Sequence, residues 1–411
     1  MSRRARAARA KAAPQRPVVG ANFNPMILIS GWIVLSTGLF LLGWSELFPS
    51  PDPEMLVFLL VVLLIFGVLG TSIRAGRPNA PERSAKLWPV WAVSGYFLAA
   101  SALNGGIPII LILLGRSYDI YSFGIRYLHV AALAFCGYYG ARLFADYLSR
   151  RHRRSLIGYL VILGWLGAIG SRGAVSFLVF TAAVLLVRKY GLSSRRTLFL
   201  LALFAGFLVA FGVFGDQRLA FQITQATGNT ANSDAILDYA HASDSFRASG
   251  VPSTLMWPYL YAAAPIANLN AAFIYSGGDI CGQSCDLTGL FVHGLLPDML
   301  GLRLGDALAV DKFDKSVFLI KGDLTASTIF GSAVGYAGLI GALLTVGTLL
   351  LIALVTIHAL RRSGIQDSGL AILATVLFFC FFENMLSYSA LSMQLVFVWL
   401  AAHRTAKDTP A

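Results

Sequence analysis

Long apolar runs recur along this chain, and short clusters of arginine and lysine separate them. Runs of this length read as membrane-spanning helices, because about 20 apolar residues are needed to cross the hydrocarbon core. Of the 411 residues, 57% are hydrophobic and only 13% are charged, which is about half the charge of an average soluble domain. The expectation is an all-α polytopic membrane protein with about ten transmembrane helices.

The spans follow from the runs and their flanks. The first is expected at about 26–48, the tight turn 49–53 follows, and the second returns over 54–73 to a basic loop at 74–86. The third, 88–115, is broken by Asn104-Gly-Gly-Ile-Pro108, and the fourth covers 121–148 and ends in Ser149-Arg-Arg-His-Arg-Arg154. The stretch 156–187 carries a single charge, Arg172, and has basic clusters on both sides. As one straight helix it would be about 48 Å long, too long for one span and slightly short for two. Gly170 and Gly173 favour a break, so a hairpin of two short spans is expected with Arg172 at its tip. The seventh span is placed at 197–214, the eighth at 327–357, and the last two at 370–383 and 386–402. The segments are then a basic disordered tail (1–25), helices one to seven (26–214), one long polar loop with short interfacial helices (215–326), helices eight to ten (327–403) and a short tail (404–411).

This assignment puts every dense basic cluster on one side, as the positive-inside rule demands of the cytoplasmic face. The net charge of +12 therefore belongs to membrane topology, with a minor role at anionic lipid, and nucleic acid is not an expected partner. Both termini are expected in the cytoplasm. The first apolar run, from Met26, is long enough to span and lacks a clear cleavage site. Cys136 and Cys380 lie in apolar runs and read as small hydrophobes. Cys281 and Cys285 lie in the polar loop, where they are either free thiols or, outside the cytoplasm, a disulfide candidate. No second Cys/His pair is near enough for a metal site.

The sequence contains no P-loop, no dinucleotide turn and no paired carboxylates suited to a nucleotide-sugar metal. The one large polar compartment is external, where chemistry must draw on a pre-activated, lipid-linked substrate. Arginine suits the pyrophosphate of such a lipid through its planar, always-charged fork. Outside the basic clusters the arginines are Arg116, Arg126, Arg172, Arg218, Arg247 and Arg303. Arg172 is costly where it stands and is the leading candidate, with a snorkelling or helix-capping role as the plain alternative. Arg218 is either functional or an interfacial anchor paired with Asp216, and Arg247 and Arg303 read more simply as solvated charges. A general base is needed to deprotonate an acceptor hydroxyl. The external candidates are His241, His293, Asp216 and Asp298, although a lone histidine in an apolar setting such as Phe291-Val-His-Gly-Leu-Leu-Pro297 is more often structural. Tyr259 and Tyr261 either anchor at the interface or stack on a sugar. Glu383, near the outer end of the ninth span, is a base or the partner of a cation.

Three stretches resemble the Wzy-type polymerases of bacterial surface polysaccharides, the oligosaccharide repeat unit polymerases. Gly170-Ser-Arg-Gly173 before an apolar helix is similar to that family's most recognisable segment. Gly215-Asp-Gln-Arg218 is similar to a recurring arginine motif. Leu260-Tyr-Ala-Ala-Ala-Pro-Ile-Ala-Asn-Leu-Asn270, followed by the glycine-rich Ser327–Gly341, resembles the family's loop and late helix. The likeness covers about Gly170 to Gly347. It implies a GT-C-like, metal-independent glycosyltransferase without a cofactor, in the inner membrane, with its active site facing the periplasm. The growing glycan on undecaprenyl pyrophosphate would pass to the terminal hydroxyl of an incoming lipid-linked repeat unit, and a chain-length regulator is an implied partner. Arg172, Arg218, His293 and Asp216 would carry catalysis, and Arg247, Arg303, Tyr259, Asn268, Tyr336 and Glu383 would bind substrate. An O-antigen ligase shares the donor chemistry and is the nearest rival. A transporter or flippase is the rival from another class, but the sequence shows no internal repeat of the kind transporters are built from.

Overall fold

The computed structural model describes residues 24–73, 75, 82–114, 123–191, 194–227, 235–282 and 285–407. Helix makes up 77% of the described residues, and no strand is present among them. In chain order the helices are α1 (Pro25–Leu41), α2 (Pro53–Ser72), α3 (Trp88–Leu103), α4 (Pro108–Leu113), α5 (Arg126–Arg150), α6 (Arg153–Ala168), α7 (Arg172–Tyr190) and α8 (Ser194–Thr227). The short α9 (Ala235–Tyr239) and α10 (Asp244–Ala248) come next, then α11 (Met256–Ser276), α12 (Asp298–Leu308), α13 (Thr328–Leu360), α14 (Gln366–Cys380) and α15 (Ser389–Lys407). The basic tail 1–23, Arg74, residues 76–81 and Arg116 lie outside the described residues.

Four of these helices, α2, α5, α7 and α13, are long and apolar enough to cross a membrane, and α1, α3 and α14 are shorter apolar helices. Large side chains stand bare on their outer faces, among them Leu60, Val68, Leu351 and Val355. In water so broad an apolar surface would drive aggregation; against lipid it costs nothing. This is the make-up of a helical membrane protein.

Hydrogen bonds define the two ends of the bundle. At one end the basic clusters meet: Arg188 pairs with Asp367 at 2.7 Å, Arg150 donates to the Glu82 carbonyl at 2.8 Å, and the Arg83 N–H reaches the Gly364 carbonyl at 2.7 Å. At the other end Asp52 is tied to Asn270, Ser45 to Ala240, and Asp298 to Ser387. Glu82 is buried at the basic end and accepts from the Ser368 N–H and Oγ. Burial pushes its carboxyl up to about 7; the Asp367 charge adds to this, and the Ser368 N–H and Arg142 oppose it. A carboxyl held above its ordinary value favours the folded state while protonated, so its contribution is full below about 4.5 and is lost as the pH rises through 7. The loss is on the order of 3 kcal/mol. The thermal midpoint of the detergent-solubilised protein should therefore fall between pH 5 and pH 8, and Glu82→Gln should flatten that fall. Identical profiles for the two proteins would refute the assignment.

The stretch around Arg172 does form two helices, α6 and α7, both packed on α5. The break is a Schellman motif: the Ser171 N–H reaches the Leu166 carbonyl at 3.0 Å and the Gly170 N–H reaches the Gly167 carbonyl at 2.9 Å. Gly170 occupies the left-handed position at φ 75° that this motif requires. The third segment also breaks where expected, between Leu103 and Pro108. The seventh helix differs. α8 runs on to Thr227, so Asp216 and Arg218 are helical and do not sit at a loop mouth. The polar section beyond it is largely structured, and α11 buries most of its length against α1, α13 and α8.

The eighth apolar run is one helix in sequence and two in space. Its backbone leaves helical geometry at Ala337 and Gly338, the latter at φ 53°. The helical bonds lost there are replaced by the loop 279–286. The Ile340 N–H donates to the Ile280 carbonyl at 3.0 Å and the Asp286 N–H donates to the Tyr336 carbonyl at 2.8 Å. That loop is closed by a disulfide between Cys281 and Cys285. A Cβ at Gly338 would stand 2.4 Å from the Gly282 nitrogen, so only glycine admits the loop here.

Candidate functional site

At the end of the bundle opposite the basic clusters, a cavity of about 640 Å³ opens between the start of α7, the segment 293–298, the strap 312–325 and the turn 383–388. This is within the usual range for small-molecule sites. Each wall has a local cause. Asp286 caps the short helical turn Leu287–Gly289, accepting from the Gly289 N–H at 2.7 Å. That turn runs into a π-type stretch, Leu290–Leu295, which presents His293. Short π-type segments are frequent at functional sites. Thr328, a threonine in the left-handed region at φ 58°, starts α13. Its N–H bonds the Phe382 carbonyl and its hydroxyl accepts from the Phe330 and Gly331 N–H groups, which fixes the turn carrying Glu383. A buried, β-branched residue in that conformation stores strain next to the cavity.

The cavity is lined by two lysines and two carboxylates. Lys315 Nζ meets Glu383 Oε2 at 2.7 Å, and Lys312 Nζ stands 3.9 Å from Asp298 Oδ1. The second separation is loose, and both side chains are partly exposed. Burial pushes the Asp298 carboxyl up, against the pull of Lys312 and His293. His293 is buried. Its Nε2 lies 2.9 Å from the Val310 carbonyl, and its Nδ1 is buried with no hydrogen-bond partner. A carbonyl only accepts, so Nε2 carries the proton and Nδ1 of the neutral ring holds the lone pair.

Gly173 and Phe177, in the first turns of α7, complete the wall. Arg172 is the first residue of that helix and directly precedes Gly173. It is exposed, and among the described residues no carboxylate pairs with it. A cation at a helix N-terminus adds to the positive end of the macrodipole and disfavours folding by a few tenths of a kcal/mol. The combination is favourable only toward an anion.

The structure therefore brings His293, Tyr336 and Glu383 into one cavity, with Arg172 beside it. Tyr336 is buried there and its hydroxyl accepts from the Phe313 N–H at 2.8 Å, which holds the strap in place. The other expected residues lie elsewhere. Asp216 accepts from Trp257 Nε1 at 3.0 Å, and Arg218, exposed two residues further on, acts on Tyr239. Around Tyr239 gather Asp323, which accepts from its hydroxyl, and Lys321, which lies over its ring. Arg303 is spent on a stack over the Tyr127 ring at 4.0 Å. Arg247 makes an exposed ion pair with Asp238 and donates to the Ala242 carbonyl. Tyr259 is buried among Trp44 and Phe48, with its hydroxyl accepting from the Trp44 N–H. Asn268 is a buried staple: its amide donates to the Leu324 and Ala326 carbonyls and accepts from the Ile320 N–H.

Sequence reasoning passed over Lys312, Lys315 and Asn384. The signal was present in Asp311-Lys-Phe-Asp-Lys315, where cations flank an aromatic in the polar section. Asn384 Nδ2 donates to the Gly294 carbonyl at 2.8 Å and so locks the His293 stretch to the turn after α14. Comparison with protein-family models, with curated proteins and with solved structures finds no match to this chain.

Proposed function

We propose that this protein is a polysaccharide polymerase. In this reading it is a GT-C-like glycosyltransferase of about ten spans in the bacterial inner membrane, with both termini cytoplasmic and the cavity facing the periplasm. The observation that carries the reading is the meeting, at one cavity, of cationic groups (Lys312, held only loosely by Asp298, and the exposed Arg172 beside the wall residue Gly173) with a histidine, His293. The first suits a pyrophosphate leaving group and the second suits a hydroxyl nucleophile. The resemblance at Gly170–Gly173 supports the same assignment, because it falls on the helix start that borders this cavity.

The reaction joins the oxygen of the acceptor's terminal hydroxyl to the anomeric carbon of the growing glycan. The bond from that carbon to the undecaprenyl pyrophosphate oxygen breaks, and the pyrophosphate departs with the electron pair. The hydroxyl proton passes to His293 Nδ1, whose tautomer the Val310 carbonyl fixes. Negative charge grows on the leaving group, where Arg172, the α7 N-terminus and Lys312 meet it; preorganised donors of this kind supply the largest single share of most such accelerations. Lys315 is engaged by Glu383 and orients the strap. Two lipid-linked substrates bring two pyrophosphates, and Arg218 on α8, with Lys321 near it, gives the second a separate place. Membrane lipid surrounds the bundle, and a chain-length regulator is a further partner in this reading.

The test is genetic. A strain lacking this protein should accumulate lipid carrying a single repeat unit. Accumulation of full-length lipid-linked chains would instead favour a ligase.

A further inference from the structure

A second cavity, of about 520 Å³, lies at the basic end, between the segment before α3, the last half of α5 and the end of α15. Four cations line it: Lys86, Arg142 and Arg404, and Arg83, which has a further partner of its own. No acidic side chain among the described residues does so. The neighbouring carboxylate, Glu82, is turned to Ser368 at 2.7 and 3.2 Å and is buried. Among the described residues the Arg142 guanidinium donates to neutral oxygens, those of the Arg83 carbonyl at 3.2 Å and the Tyr138 hydroxyl at 3.5 Å, its Nε is buried without a hydrogen-bond partner, and Glu82 acts on it only through space. The electrostatics of this cavity call for an anion.

Its walls say which kind. Tyr138, Tyr139 and Phe397 form one apolar side, with Tyr138 and Phe397 stacked at 5.8 Å between ring centroids. Trp88 and Leu400 stand at the rim, 66% and 55% exposed. One turn further along α3, Trp91 is exposed to 64% and continues the same bare apolar surface. Cations at the end of a bundle, tryptophans at the level below them and open apolar surface beyond are the pattern of a membrane interface. A free phosphate would need the cations and not the aromatic and aliphatic rim. Basic pockets between helices on this side of a membrane suit anionic lipid headgroups.

We infer that this cavity binds the phosphate headgroup of an acidic phospholipid from the leaflet at the basic end, with the cations on the phosphate and the Trp88–Leu400 rim against the acyl chains. The site is separate from the cavity bordered by α7, at the other end of the bundle, and does not depend on the reaction assigned there.

The experiment uses the full-length protein in phosphatidylcholine nanodiscs, titrated with dioctanoyl phosphatidylglycerol and followed by tryptophan fluorescence and thermal midpoint. Lys86 and Arg404 are exposed, so Lys86→Gln/Arg404→Gln leaves the fold intact. It should weaken the titration midpoint about thirtyfold, the effect of two cations at a lipid surface. Arg153→Gln/Arg154→Gln removes the same charge from the same end outside the cavity and should change it less than about twofold. Equal weakening by both pairs would overturn the site in favour of a diffuse surface potential. Inorganic phosphate saturating the response as tightly as the lipid would overturn the lipid assignment, and so would dioctanoyl phosphatidylcholine binding as well as the acidic lipid.

Discussion

Replacing Arg172 with alanine should abolish glycan extension while leaving protein level and membrane insertion unchanged. The two halves of this expectation have separate causes. Arg172 is exposed and without an ion pair among the described residues, so no packing is lost and no buried partner is stranded. Its charge opposes the α7 macrodipole, and removing it relieves a few tenths of a kcal/mol. The variant should be as stable as the wild type or slightly more so. Extension should nonetheless fall by a factor of about 10² to 10³, the usual loss when one preorganised donor to a developing anion is removed. Arg172→Lys keeps the charge but loses the planar fork, and should recover less than a tenth of the activity. Normal glycan ladders from Arg172→Ala would end the catalytic assignment. Loss of activity together with loss of the protein would make Arg172 structural.

Replacing His293 with glutamine should lower the extension rate by about 10² to 10⁴, the range for removal of a general base. Glutamine can still donate to the Val310 carbonyl, so the strap 310–315 stays tethered. It has no basic nitrogen in place of Nδ1, so the rate should fall while the thermal midpoint stays at the wild-type value. A structural histidine would behave otherwise: the thermal midpoint would drop and the rate per folded molecule would be kept. That second pattern would transfer the base role to Asp298, whose carboxyl burial pushes up.

Much of the scaffold is legible in the sequence because its causes are local. Gly170 between two apolar stretches with basic flanks marks a hairpin, and the structure closes it with a Schellman motif centred on that glycine. Asn104 to Pro108 marks a break, and Cys281 and Cys285 in a polar loop mark a disulfide that forms. The kink in α13 is not legible. Gly331, Gly335, Gly338 and Gly341 form one repeating series, and only the approach of Gly282 from the disulfide loop selects Gly338 among them. The site is legible in part for the same reason. Arg172, His293 and Glu383 are conspicuous as polar groups in apolar surroundings. Tyr259 and Asn268 look equally conspicuous, yet their polar atoms are consumed by partners more than 50 residues away, Trp44 for the first and the 320–326 strap for the second. No local pattern reveals such pairings. Lys312 and Lys315 escape notice because two aspartates alternate with them, and only the folded strap shows that Lys315 faces Glu383 while Lys312 stands 3.9 Å from its carboxylate.

The central claim is that the cavity at the start of α7 joins one lipid-linked glycan to another. It is tested most directly with the purified full-length protein in lipid nanodiscs, supplied with undecaprenyl-pyrophosphate-linked repeat unit from the producing strain. Products are resolved by length. Wild-type protein should convert the single unit into a ladder of dimers, trimers and longer chains and release undecaprenyl pyrophosphate in equal number to the new linkages, and Arg172→Ala should leave the single unit intact. Release of undecaprenyl pyrophosphate without a ladder, or a ladder of equal yield from Arg172→Ala, would contradict it.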